Sequence, residues 1–258
     1  MNRHGAFTLA ELLVLVGLSG ILGALLLPSL ATDKRIALRA ACAQNERQLA
    51  LAWQMFATDH NGKVSIGTPN GGGGWLWDMD TTTRDNLVNQ YNVPRKVFYC
   101  PSYPGKNLDV FWTCSACGGS SVGYWLLGQR VDANGNPITG TSGWAAGPNN
   151  TTFKKYANSG EGSRYVFVYD LSHSADPNRP LQVLLTDAII SEPTTGSFTN
   201  VPSTVVGSYQ SPHLGTNGVP EGSNICYTDG HVEWRDMSAI KIRYTAGGGV
   251  DPGKLFWW

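Results

Sequence analysis

The chain has 258 residues, and 19 Lys plus Arg balance 19 Asp plus Glu, for a formal charge of zero. That balance argues against a nucleic-acid partner, because phosphate binding needs a surplus of positive charge. Charged residues make up only 15% of the chain, against roughly 25% in ordinary soluble domains. Gly (31) and Pro (14) are enriched and Trp (9), Tyr (10) and Phe (8) are plentiful, the profile of a loop-rich, β-rich extracytoplasmic protein. With 41% hydrophobic residues, general disorder is excluded.

Residues 12–31 read LLVLVGLSGILGALLLPSLA, without a charge. At about 1.5 Å per residue such a run rises about 30 Å, the thickness of a bilayer core. A cleaved secretory signal would be shorter and would end at a small-residue cleavage site. Here the pattern continues as a helix instead. Leu38, Cys42, Leu49, Trp53 and Phe56 recur on one face, and no Pro or Gly interrupts 29–61. The expectation is one long helix, transmembrane over about 7–30 and amphipathic to 61. Asp59-His60-Asn61-Gly62 supplies its stop signal, with Gly suited to a left-handed cap. Glu11 stands at the start of the apolar run, where a carboxylate is either interfacial and solvated or needs a partner.

Residues 62–258 form the expected globular part. Its Gly-rich start carries Trp75 and Trp77 but no Gly-Lys-Ser/Thr, which argues against a phosphate loop. A short helix is predicted at 84–93. Strands are predicted at Val97–Cys100, Ser121–Leu127, Tyr165–Tyr169 and Leu181–Thr186, and Arg130–Ile138 reads as a turn. Within that turn Asp132, Asn134 and Asn136 alternate as in a calcium loop, but the downstream bidentate Glu is missing. Near the C-terminus, Asn224–Thr228 and His231–Trp234 flank Asp229-Gly230, read as a two-residue hairpin turn. That reading pairs Cys226 with Glu233 and Ile225 with Trp234, and it puts Ile225, Tyr227, Val232 and Trp234 on one apolar face.

The segment Gly5-Ala6-Phe7-Thr8-Leu9-Ala10-Glu11-Leu12-Leu13-Val14 resembles the N-terminal signature of type IV pilins and type II secretion pseudopilins. The resemblance implies that a prepilin peptidase cuts between Ala6 and Phe7 and methylates the new amine, leaving 1–6 as leader. It also implies that Glu11 is the assembly glutamate, pairing with the Phe7 amine of a neighbouring subunit, and that Pro28 is the helix-bending proline. The implied fold is α+β and pilin-like: a long N-terminal helix followed by a β-rich, loop-rich globular domain. The implied partners are copies of the chain in a filament, other pilin-like subunits, the peptidase and the inner membrane. The implied location is a single pass in the bacterial inner membrane with the globular domain periplasmic, then an extracytoplasmic or cell-surface filament.

The C-terminal part extends the resemblance. Many prepilin-like proteins carry a His…Asn-x-x-x-x-Asp-Gly-His-Val element with an upstream Cys-Pro-Ser and a short aspartate strand. Here the pieces are His213, Asn224, Asp229 to Val232, Cys100-Pro101-Ser102 and Leu184 to Asp187. Asp187, His213, Asp229 and His231 are metal-capable. Pseudopilins carry calcium in their globular domains, whereas two His and two Asp suit zinc better. The competing reading is structural, with Asp229 in a turn, Asp187 ending a strand and the histidines bonding loops.

Of the five cysteines, Cys42 reads as a packing residue, and a disulfide is expected among Cys100, Cys114 and Cys117. No Gly-x-Ser-x-Gly or His-Glu-x-x-His occurs, and no catalytic residue is assigned. The functional expectation is a structural filament subunit. A second reading is an adhesin-like binding module, in which Trp75, Trp77, Trp125 and Trp144 stack on carbohydrate.

Overall fold

The computed structural model describes residues 8–60, 62, 76–114, 117, 119–127, 183–192, 194–203, 207–245 and 255–257. Phe7, Ala6, the turn at 130–138 and the strand expected at 165–169 lie outside them. The chain divides into two compact units, 1–38 and 39–258.

Helix α1 runs from Leu9 to Asp59, and Pro28 falls inside its span. It opens with a capping box, since Thr8 and Glu11 stand three apart and bond reciprocally. The Thr8 N–H and hydroxyl both donate to Glu11 Oε2 at 2.9 Å, and the Glu11 N–H donates to Thr8 Oγ1 at 3.3 Å. These bonds hold the Glu11 carboxyl below its usual pKa. At the other end Gly62 adopts φ +80, and its N–H reaches the Ala57 carbonyl at 2.6 Å, closing the helix as a left-handed cap does.

Two expectations need correction. Among the described residues, no helix is long and apolar enough to cross a membrane. A bilayer core demands about 30 Å of apolar helix, roughly 20 residues. Neither the transmembrane segment at 7–30 nor the single-pass inner-membrane location stands. The corrected fold is a helix with an exposed N-terminal half and a small β-rich domain.

From residue 39 onward α1 becomes part of that domain. Cys42, Leu49, Ala50, Trp53, Phe56 and Ala57 are buried along one helix face. They pack in one cluster with Tyr124, Leu126, Leu184, Leu185 and Cys226. These last five belong to a four-stranded sheet. Its strands are β3 (Tyr124–Leu126), β4 (Val183–Asp187), β8 (Gly222–Tyr227) and β9 (Val232–Asp236), in the order β3-β4-β8-β9 and all antiparallel. The opposite face buries Trp125, Leu127, Val183 and Ile225 with Trp77, Phe111 and Tyr209. Strand β4 is therefore covered on both sides, and so Val-Leu-Leu-Thr reads as a continuous run and not an alternating one.

Short elements surround this sheet. Strands β1 (Asp78–Asp80) and β2 (Gly119–Ser121) pair with each other, as do β6 (Val201–Ser203) and β7 (Gly207–Tyr209). Strand β11 (Leu255–Trp257) lies between β5 (Ile189–Ser191) and β10 (Ile242–Thr245). The helix expected at 84–93 begins earlier, as α2 (Thr81–Asn89), because the Asp80 side chain accepts the Thr83 N–H at 3.0 Å and caps it. Val97 closes a 3-10 turn, Arg95–Phe98, and not a strand.

The C-terminal hairpin forms one residue out of the expected register. Cys226 faces Val232, Ile225 faces Glu233 and Asn224 faces Trp234. The Tyr227 N–H donates to the His231 carbonyl at 3.0 Å, so the loop holds three residues, 228–230. Only Gly230 takes a positive φ, +87, whereas a two-residue type I′ turn would need Asp229 there as well. Asp229 instead accepts the His231 N–H at 3.0 Å. Val232 and Trp234 thus share a face with Asn224 and Cys226, and Tyr227 stacks on His231 across the other face. Gly230→Val is expected to cost more than about 1 kcal/mol, since a β-branched residue resists positive φ. A thermal melt that does not shift would show that the turn can change type.

Candidate metal centre

Four segments far apart in sequence converge beneath α1. Cys42 comes from the helix, Cys100 from the end of the 3-10 turn, Asp187 from the last position of β4, and His213 from the turn after β7. All four are buried, and one ligand atom from each lies within 4.8 Å of the others. Cys42 Sγ is 2.7 Å from Cys100 Sγ and 2.9 Å from Asp187 Oδ1. His213 Nε2 is 3.0 Å from Asp187 Oδ2 and 3.4 Å from Cys100 Sγ. Two thiols, an imidazole and a carboxylate form a group that could hold a metal ion.

Local chemistry holds each member in place. Cys100-Pro101-Ser102-Tyr103 makes a tight turn in which the Tyr103 N–H donates to the Cys100 carbonyl at 3.0 Å, with Pro at its favoured second position. This turn presents Ser102 Oγ 3.0 Å from Cys100 Sγ, where it also accepts the His213 N–H at 3.0 Å. His213 is thereby held at φ +53, left-handed backbone that a residue with a Cβ adopts only under constraint. On the far side the Asn224 N–H and Nδ2 both donate to Asp187 Oδ2, at 2.8 and 3.2 Å, and Nδ2 also reaches the Arg39 carbonyl at 3.3 Å. Trp234 stands edge-on to the His213 ring at 5.3 Å, and the Arg39 guanidinium lies 3.9 Å over its indole.

The charges follow from burial and pairing. Burial alone would push the Asp187 carboxyl up, but the His213 ion pair and the donors from Cys42 and Asn224 bring it below its usual value. Burial opposes protonation of His213, yet Asp187 and Cys100 carry its pKa to about 11. Burial raises the Cys42 thiol well above normal, and its donation to Cys100 adds to this. Cys100, accepting from Cys42 and facing His213, goes down despite burial. Glu46 lies one turn after Cys42 on the same buried helix face, and burial together with Asp187 and Cys100 drives its carboxyl far up. Neither of its oxygens has a hydrogen-bond partner among the described residues.

Of the metal-capable residues expected from sequence, Asp187 and His213 meet here. Asp229 and His231 bond to each other at 2.7 Å on the half-exposed hairpin turn and take no part in the group. The disulfide joins Cys114 to Cys117, and Cys100 is a free thiol within the group. Cys42, expected as packing, is also a member, and Glu46 was not singled out. A signal for Glu46 existed, since it falls on the apolar stripe between Cys42 and Leu49, where a solvated carboxylate does not belong. Residues 214–220 form a small closed loop, with the Glu221 N–H bonded to the His213 carbonyl at 2.9 Å, which returns the chain from His213 to the start of the strand that carries Asn224. Asp132, Asn134 and Asn136 lie outside the described residues. Among the tryptophans proposed to stack on sugar, Trp77 and Trp125 are buried and stack on each other at 4.8 Å, while Trp75 and Trp144 lie outside the described residues.

Comparison of the chain with protein-family models, curated proteins and solved structures returned no match.

Proposed function

We propose that the protein is a structural subunit of a filament, of the type IV pilus or secretion pseudopilus kind, assembled through its N-terminal helix. The observation that supports this is the surface of that helix. Leu12, Leu13, Val14, Leu15, Val16 and Leu18 are each at least half exposed, and so are Ile21, Leu22 and Leu25. An apolar surface continuous round a helix needs a cover, because exposed patches of this size mark interaction sites. Gly17, Gly20 and Gly23 have open space where a Cβ would stand, so another helix can approach the backbone closely there. Copies of the same helix, packed side by side, supply that cover. Processing by a prepilin peptidase between Ala6 and Phe7 precedes assembly in this reading. The buried group of the second unit is the seat of a structural divalent cation, the calcium or zinc to which the sequence pointed.

The test is to express the full chain with a prepilin peptidase, then sequence its N-terminus and examine sheared material by electron microscopy. Filaments whose subunits begin at Phe7 are expected. A mature start near residue 31, or a processed chain that stays monomeric, overturns the reading.

A further inference from the structure

Glu46 is hard to account for with protein groups alone. It is fully buried, both its oxygens lack a hydrogen-bond partner among the described residues, and it feels the charges of Asp187, Cys100 and His213. A buried carboxylate without a donor is costly in either protonation state. Beside it Cys42, Cys100, Asp187 and His213 put two sulfurs, a carboxylate and an imidazole within 4.8 Å of one another. That is a complete donor set for a divalent cation, which binds in exchange for the protons of both thiols and of His213.

The donors select the metal. Calcium takes six to eight oxygens, and here two of four donors are sulfur and one is imidazole nitrogen. Zinc takes this mixture of Cys, His and Asp in a tetrahedron, and four protein donors in a fully buried site make a closed, structural centre. Zinc–ligand bonds of about 2.0–2.3 Å place ligand atoms about 3.3–3.8 Å apart. The closest pair here, the two sulfurs, stands at 2.7 Å, so loading asks them to part by about an ångström. A small cavity has Cys100, Tyr103, Gly123 and Pro212 in its wall, so the group borders it through Cys100.

We propose that Cys42, Cys100, Asp187 and His213 are the ligands of a structural zinc ion that ties helix α1 to the Cys100 turn, strand β4 and the His213 turn. Ser102 and Asn224 are positioning residues for His213 and Asp187. Zinc binding belongs to residues 39–258 and holds whether or not the chain polymerises.

The test uses the full chain, reduced and stripped with a chelator, titrated with cobalt(II) and then zinc(II). One equivalent of cobalt is expected to give a sulfur-to-cobalt charge-transfer band and the intense visible bands of a tetrahedral site, which zinc abolishes. Cys42→Ser and Cys100→Ser each weaken the charge-transfer band, and Asp187→Asn lowers affinity by more than about a hundredfold. Glu46→Gln keeps a neutral group at that position and keeps the spectrum. Cys226→Ser, a buried thiol outside the group, leaves both unchanged. Where a ligand variant fails to fold, the unsubstituted chain decides. A folded, reduced chain that takes up neither ion overturns the proposal, and so does a native Cys42–Cys100 disulfide found by mass spectrometry. Loss of filaments with zinc binding intact counts against the filament reading alone.

Discussion

Glu11→Gln is expected to abolish filaments while leaving the chain folded. Two roles for this carboxylate are distinguishable because the structure shows one of them directly. Glu11 closes a capping box with Thr8, and a Gln at that position closes the same box. What Gln removes is the charge. In the proposed assembly that charge pairs with the Phe7 amine of the neighbouring subunit inside a bundle of apolar helices. A buried charge stripped of its partner weakens each contact by more than about a hundredfold. The penalty recurs at every subunit, so polymerisation collapses. Thr8→Ala is the complementary variant, since it opens the box and keeps the carboxylate, and filaments should persist with a frayed helix start. Electron microscopy of the two variants, beside a melting curve for each, checks this. Filaments from Glu11→Gln, or equal loss in both variants, would mean that the residue acts as a cap, and the intersubunit pairing would fall.

The largest loss of stability is expected at Gly222. A Cβ built there would stand 2.1 Å from the Arg235 carbonyl oxygen and 2.7 Å from the Trp234 indole. Gly222 faces Asp236 at the start of the β8–β9 ladder, so the obstacle is the backbone of the partner strand and not the movable end of a side chain. Gly222→Ala must spread the two strands or break their pairing, at about 3 kcal/mol or more, out of the 5–15 kcal/mol that ordinarily holds a domain together. Strand β8 also carries Asn224, whose two bonds orient Asp187, so metal affinity should fall with stability. Urea unfolding followed by tryptophan fluorescence reads the effect. An unchanged midpoint would show that the strands already have the slack to part.

The hairpin shows how a correct local signal leads to a wrong face. Asp-Gly between two β-branched and aromatic runs marks the turn, and the turn is there. Whether the loop holds two residues or three depends on whether Asp229 adopts positive φ or uses its carboxylate to accept the His231 N–H. Those options differ little in local energy. Because side chains alternate with period two, the single extra residue moves Val232 and Trp234 to the opposite side of the sheet. Packing arbitrates: Trp234 is wanted beside His213 and under Arg39. No window of neighbouring residues contains that information.

The sequence by itself determined the features that depend on near neighbours. Gly62 ends the long helix, the 42–57 stripe is an amphipathic face, Val-Leu-Leu-Thr is a buried strand, and Asp229-Gly230 is a turn. Each rests on a hydrogen bond or a periodicity that spans a few residues. The sequence also marked Cys100-Pro101-Ser102, Asp187, His213 and Asn224 as noteworthy, yet it assigned Cys100 to a disulfide, Cys42 to packing, and Asp229 and His231 to the metal. Only the tertiary structure decided these. Cys114 and Cys117 stand close enough in the chain to pair with each other, which leaves Cys100 free. Cys42, Cys100, Asp187 and His213 are 58, 87 and 26 positions apart in turn, and they meet because α1 lies across a sheet whose central strand ends in Asp187. A ligand set of that kind is a property of how layers stack. Its members carry no shared local pattern, and burial by the helix is what turns four ordinary side chains into one site.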